Sequence, residues 1–176
     1  MSVREYVPSD DGTGLKFCIV AAQWNEGIVK RLLDGALTTL RSRGVADEDV
    51  EVYWVPGSLE LPWAAMAALS TGGPDGFRDI EDGDPVPHAF LPEAVIALGC
   101  VIRGETEHFR LVSDNTAQGL MRVTLDTGVP VLNGVLAVEN VGQAEARSGG
   151  EHGNTGAQVA LAAIRCANQL NGRFAS

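Results

Sequence analysis

A chain of 176 residues, 45% of them hydrophobic, can bury one sizeable core and is too short for two comfortable domains. With only 20% charged residues it does not have the composition of a disordered chain, and a formal net charge of -10 excludes non-specific nucleic-acid binding, which needs basic surface to displace counterions. Thirteen lysines and arginines remain for local work, such as holding a phosphorylated small molecule.

Residues 1–14, "MSVREYVPSDDGTG", are polar and read as a flexible N-terminal arm, leaving 15–176 as a single domain. "LKFCIVAA" (Leu15 to Ala22) is a short apolar run suited to a buried parallel strand. The following stretch repeats apolar residues at Ile28, Val29, Leu32, Leu33, Ala36, Leu37 and Leu40, a helical stripe stopped by Gly44. "VEVYWV" (Val50 to Val55) predicts a second strand, and "PGSLELPWAAMAALS" turns into a second helix. Residues 71–93 are rich in Gly, Pro and Asp and read as an inserted surface loop that breaks the rhythm. "AVIALGCVI" (Ala94 to Ile102) predicts strand three, Phe109 to Thr127 a helix, Val129 to Val138 strand four, and "NTGAQVALAAIRCANQL" a last amphipathic helix.

Alternation of strand and helix predicts a three-layer α/β/α sandwich on a four-stranded parallel sheet, flavodoxin-like in its layering. The chain has no basic-then-apolar leader and no apolar run of spanning length, so no membrane partner is expected. Cys18, Cys100 and Cys166 are scattered among apolar neighbours and read as reduced core thiols of a cytoplasmic protein. No metal site is expected either, because the three histidines have neither zinc-protease spacing nor cysteine partners. A dinucleotide fingerprint, a P-loop lysine and a nucleophile elbow are likewise missing from the sequence.

In parallel sheets, ligands bind beyond the carboxyl ends of the strands, so the loops there carry the candidates. Trp24 and Asn25 follow strand one; the ring can pack structurally or stack on a flat heterocycle. Gly57, Ser58 and Glu60 follow strand two, where a carboxylate suits any helix start and can also receive a polyhydroxylated ligand. In "GETEHFRLVSDNT", after strand three, Gly104 and Thr106 can face an anion, and His108 is either a solvated turn residue or a proton carrier. Arg147 follows strand four, either as a surface arginine or as a phosphate partner. A ring, a carboxylate, an imidazole and a guanidinium after four successive strands fit a heterocycle and a phosphorylated partner.

The stretches "PGSLELP", "ALGCVIRGETEHF", "NGVLAVEN" and "EARSGGEHGNTGAQ" resemble the lumazine synthases of riboflavin biosynthesis, over about Lys16 to Leu170. The resemblance implies condensation of 5-amino-6-(D-ribitylamino)uracil with 3,4-dihydroxy-2-butanone 4-phosphate, without a cofactor. It implies His108 as the proton-transferring residue. Trp24, Asn25, Ser58, Leu59, Glu60, Cys100, Val101, Ile102 and Asn133 would hold the pyrimidine and ribityl chain, and Glu105, Thr106 and Arg147 the phosphate. It further implies self-association as pentamers, with each site between neighbours and an extra N-terminal strand added to a neighbouring subunit. The "GGEHG" turn resembles members that close a sixty-subunit icosahedral shell, and riboflavin synthase is an implied partner.

Two positions depart from that pattern. Asn133 stands where many relatives carry phenylalanine, and Thr155 where lysine is common, which removes a cation beside the expected phosphate. Thr155 therefore keeps open an alternative, a non-catalytic shell or scaffold paralogue that binds lumazine- or flavin-like ligands. A flavodoxin-like redox carrier is a second alternative at the level of fold alone, weakened by the lack of a Ser/Thr/Gly-rich cradle after strand one.

Overall fold

A computed structural model describes residues 3–70 and 90–175. Four parallel strands, β1 (Phe17–Ala22), β2 (Val50–Val55), β3 (Ala94–Ile102) and β4 (Val131–Val138), form a sheet of order β2-β1-β3-β4. Helices α1 (Glu26–Ser42), α2 (Leu61–Ser70) and α3 (His108–Thr127) follow the first three strands. A short α4 (Val141–Arg147), a hairpin of β5 (Ser148–Gly150) and β6 (Gly153–Asn154), and α5 (Thr155–Leu170) complete the order. The expected inserted loop at 71–93 falls mostly on 71–89, which lie outside the described residues.

The sheet separates two cores by the two-residue period of its strands. Phe17, Ile19 and Ala21 of β1 join Ile96 and Leu98 of β3 against α1 and α5, while Cys18, Val20 and Ala22 join Val95 and Ala97 against α2 and α3. Both faces of the central strands are therefore covered, which is why they read as unbroken apolar runs. This is the three-layer, flavodoxin-like sandwich, with strand register running from Phe17↔Val50 to Ala22↔Val55 and from Phe17↔Ala94 to Ala21↔Leu98.

Boundaries differ from the sequence reading where turns intervene. β1 starts at Phe17, not Leu15, because Leu15 N–H donates to the Gly12 carbonyl at 3.0 Å in a turn completed by Gly14 at φ 74°. Gly128, at φ 72°, ends α3 and delays β4 to Val131. α4 and the β5–β6 hairpin have no counterpart in the sequence reading. α4 is only seven residues long and is started by the Asn140 side chain, which accepts from Gln143 N–H at 3.0 Å.

Within the segment read as the N-terminal arm, residues from Val7 onward run along α5 and the chain end. Pro8 bridges Phe174, Ser9 N–H donates to the Arg173 carbonyl at 3.1 Å, and Asn168 Nδ2 donates to the carbonyls of Ser9 and Asp11 at 2.8 and 2.9 Å. Asp10 accepts from Arg165 Nε at 2.6 Å, and that guanidinium holds its carboxyl below the usual carboxylate range.

Candidate active site

A cavity of about 420 Å³ opens at the carboxyl end of the sheet, between the turns after β1 and β2 and the start of α3. Its wall carries Trp24, Ser58, Leu59, Glu60, the strand end Cys100–Val101–Ile102, Thr106 and His108.

Trp24 is placed by backbone bonds and not by packing. After Ala22 the chain leans toward β2, with Gln23 N–H on the Val55 carbonyl at 2.8 Å and Trp24 N–H on the Pro56 carbonyl at 3.2 Å. The side chain itself is 72% exposed. A tryptophan so exposed on a pocket wall is available to stack on a flat ring, so the structural-packing reading fits it poorly.

The turn after β2 is a single 3-10 turn, Ser58–Glu60, leading into α2. Ser58 is buried, and its carbonyl accepts from the buried Thr116 hydroxyl of α3 at 3.1 Å. Gly99 permits this approach, since a Cβ there would stand 2.7 Å from Ser58 Oγ. Leu59 and Glu60 then face the cavity, with the Glu60 carboxylate folded back over Gly57.

On the third side, β3 runs beyond its neighbour β1 and exposes the edge Val101–Ile102, while Cys100 stays buried. Burial pushes the Cys100 thiol up to about 11, so it stays neutral at physiological pH and is no nucleophile. Thr106 Oγ1 accepts from the backbone N–H of His108 at 3.4 Å, a weak contact at the helix start that precedes an exposed imidazole. Phe109 and Val112 continue the same face of α3. Arg103 lies with its guanidinium 5.7 Å from the Phe109 ring and pairs with Glu139 at 3.2 Å.

Four expected residues lie outside this wall. Asn25 lines a shallower depression with Ile28, Arg31 and Val141, and its amide donates to the Cys100 carbonyl at 2.8 Å. Glu105 is exposed on the turn before His108. Asn133 pairs in register with Ala97 whereas Leu136 pairs with Cys100, so it sits three residues, about 10 Å, below the level of Cys100 and farther still from the strand ends. Arg147 ends α4 and donates to the Gln143 carbonyl at 3.3 Å.

Pro56 and Val112 also line the cavity and were not singled out from the sequence. Val112 stands four residues after His108, and that helical spacing was the signal available. Among the described residues no group of three His, Cys, Asp or Glu side chains could hold a metal ion. No helix among them is long and apolar enough to cross a membrane.

Residues 14–171 match the family model described as 6,7-dimethyl-8-ribityllumazine synthase. A 6,7-dimethyl-8-ribityllumazine synthase from Stenotrophomonas maltophilia (strain K279a) is 48% identical over 155 residues, 88% of each chain. One from Xanthomonas campestris pv. campestris (strain B100) is 46% identical over 158 residues, 90% of this chain and 91% of the relative. The protein of the same name from Xanthomonas oryzae pv. oryzae (strain PXO99A) is 46% identical over 155 residues, 88% and 89% of the two chains.

Proposed function

The chain belongs to the 6,7-dimethyl-8-ribityllumazine synthase family, and on that footing we infer that the cavity beside Trp24 and His108 is where it performs the family's reaction. The protein is a transferase of riboflavin biosynthesis. It condenses 5-amino-6-(D-ribitylamino)uracil with 3,4-dihydroxy-2-butanone 4-phosphate to give 6,7-dimethyl-8-ribityllumazine, phosphate and water.

The observation that carries the assignment of the site is the placement of an exposed tryptophan, a carboxylate and an imidazole around one cavity at the strand ends. The pyrimidine stacks on Trp24 and meets the edge Cys100–Ile102, and its ribityl chain reaches the Ser58–Glu60 turn, where Glu60 accepts from hydroxyls. The amine of the uracil attacks the ketone carbonyl, water leaves to form the imine, phosphate is eliminated, and the second nitrogen closes the ring with loss of water. Each step moves a proton, and an imidazole can both accept and donate one, so His108 serves as general acid and base. Thr106 and the turn at Gly104–Glu105 hold the phosphate end.

Neither Asn133 nor Arg147 lines this cavity, and in our reading both reach it from another copy, in a site shared between neighbours. We therefore place Arg147 of an adjacent subunit on the phosphate, where a guanidinium stabilises the charge that develops as phosphate departs. Asn133 of that subunit lies against the pyrimidine in this reading. The copies assemble as pentamers, twelve of which close a sixty-subunit shell, with an N-terminal strand added to a neighbour and riboflavin synthase as partner. The setting is the cytoplasm.

The test mixes purified protein with both substrates and follows lumazine formation, with His108→Ala alongside. Turnover above the uncatalysed background, lowered by about a hundredfold in the variant, supports the assignment. Equal rates in both remove His108 from the mechanism. Sedimentation of the intact protein tests assembly, and a species near the pentamer mass refutes the shell.

A further inference from the structure

Asn25 is the one non-glycine residue with a left-handed backbone among the described residues, at φ 61° and ψ 39°. Asparagine tolerates that region better than other side chains, but the conformation persists only where its surroundings hold it. Although Asn25 begins α1, its side chain makes no capping bond to the helix. Instead Nδ2 donates to the Cys100 carbonyl, 75 residues away, at 2.8 Å.

The reason lies in the sheet. β1 pairs with β3 only as far as Ala21↔Leu98, so Cys100 stands two residues past the end of that ladder. The chain after β1 has by then turned toward β2, through Gln23 and Trp24. A carbonyl of a buried residue left unpaired there would carry a desolvation penalty. The Asn25 amide replaces the missing strand, and thereby fixes the β1 turn against β3 one residue after the exposed Trp24.

We infer that Asn25 is a positioning residue for the pyrimidine substrate: it sets the Trp24 ring above the Cys100–Ile102 edge and keeps the Cys100 carbonyl closed to the ligand. The inference rests on the cavity being the pyrimidine site. It reassigns Asn25 from direct contact to an action through Trp24 and β3.

The experiment compares wild type with Asn25→Gly, which accepts the same backbone without the amide, and Asn25→Asp, which sets a carboxylate against the carbonyl. Rates are measured with each substrate varied in turn, and binding of the product 6,7-dimethyl-8-ribityllumazine is titrated separately. Asn25→Gly is expected to raise the pyrimidine KM and the product Kd about tenfold, the loss expected for one net hydrogen bond. Asn25→Asp raises both further, while the ketone phosphate KM stays within about twofold in either variant. Unchanged pyrimidine KM and product Kd overturn the inference, and so does an equal rise in both substrates' KM, which marks general loosening. If wild type makes no lumazine, the functional reading fails and the product titration alone decides the role of Asn25. If wild type does not bind the product either, both fall.

Discussion

The Thr116 hydroxyl donates to the Ser58 carbonyl at 3.1 Å, with both residues buried, and so ties the helix that begins with His108 to the turn that carries Glu60. The two sides of the cavity are otherwise joined mainly by apolar packing between α2 and α3, including Leu61 and Leu120. Apolar contacts are non-directional, and a hydrogen bond between buried groups fixes a distance.

Replacing Thr116 by valine keeps the shape and removes the donor, leaving the Ser58 carbonyl with its bond from the Leu61 N–H alone. Thr116→Val is expected to cost about 1–2 kcal/mol in urea unfolding and to raise the pyrimidine KM. Thr116→Ser keeps the hydroxyl and should restore the KM while retaining a smaller stability loss from the missing methyl. A valine variant with unchanged KM would show that the bond serves folding alone.

A second prediction concerns the face that carries α5. At Gly156 the first turn of α5 crosses α1 so closely that a Cβ would overlap the Leu32 carbonyl, and at Gly35 one would overlap the Asn154 side chain. Asn154 begins α5 and donates to the Arg31 carbonyl at 2.8 Å, so the approach of the two helices also seats the hairpin that follows Arg147. Because the obstacle is backbone, it cannot rotate away. Gly156→Ala is expected to destabilise the chain by about 3 kcal/mol, read as a lower midpoint in guanidinium unfolding, and an unchanged midpoint would refute the close crossing.

The sandwich was legible because its determinants are local and repeated. β1 and β3 are apolar on both faces, as buried parallel strands must be, and α1 carries a stripe from Ile28 to Leu40. Trp24, Ser58, Glu60 and His108 could be drawn toward one place because a parallel sheet gathers its loops at one end. The β5–β6 hairpin was not legible, since "SGGEHGN" has no apolar alternation and is held by Gly149 at φ 120°, Gly153 at φ 76° and the long reach of Asn154 to α1. Asn133 illustrates another limit. Its residue type and its strand could be read, but its depth along β4 depends on the register Asn133↔Ala97, which is a tertiary quantity.

The hairpin gives a third prediction its geometry. Ser148 pairs with Asn154, and the residues just outside that pair are Arg147, at the end of α4, and Thr155, at the start of α5. Arg147 bonds a backbone carbonyl of its own helix, while position 155 carries a neutral hydroxyl. In the proposed site, where Arg147 holds the phosphate, Arg147→Ala is expected to raise the ketone phosphate KM by about a hundredfold, the scale of a lost charge-assisted pair. Thr155→Lys adds a second cation across the Ser148–Asn154 pair and should lower that KM by about threefold to tenfold at low ionic strength, with the gain fading as salt screens it. Both effects should leave the pyrimidine KM within about twofold, because the proposed place of that ring is at Trp24 and not at the hairpin. Steady-state kinetics with each substrate varied, at two salt concentrations, separates these outcomes. A lysine variant that changes the pyrimidine KM instead would remove the hairpin from the phosphate subsite and leave Thr106 and the turn at Gly104 to hold the anion.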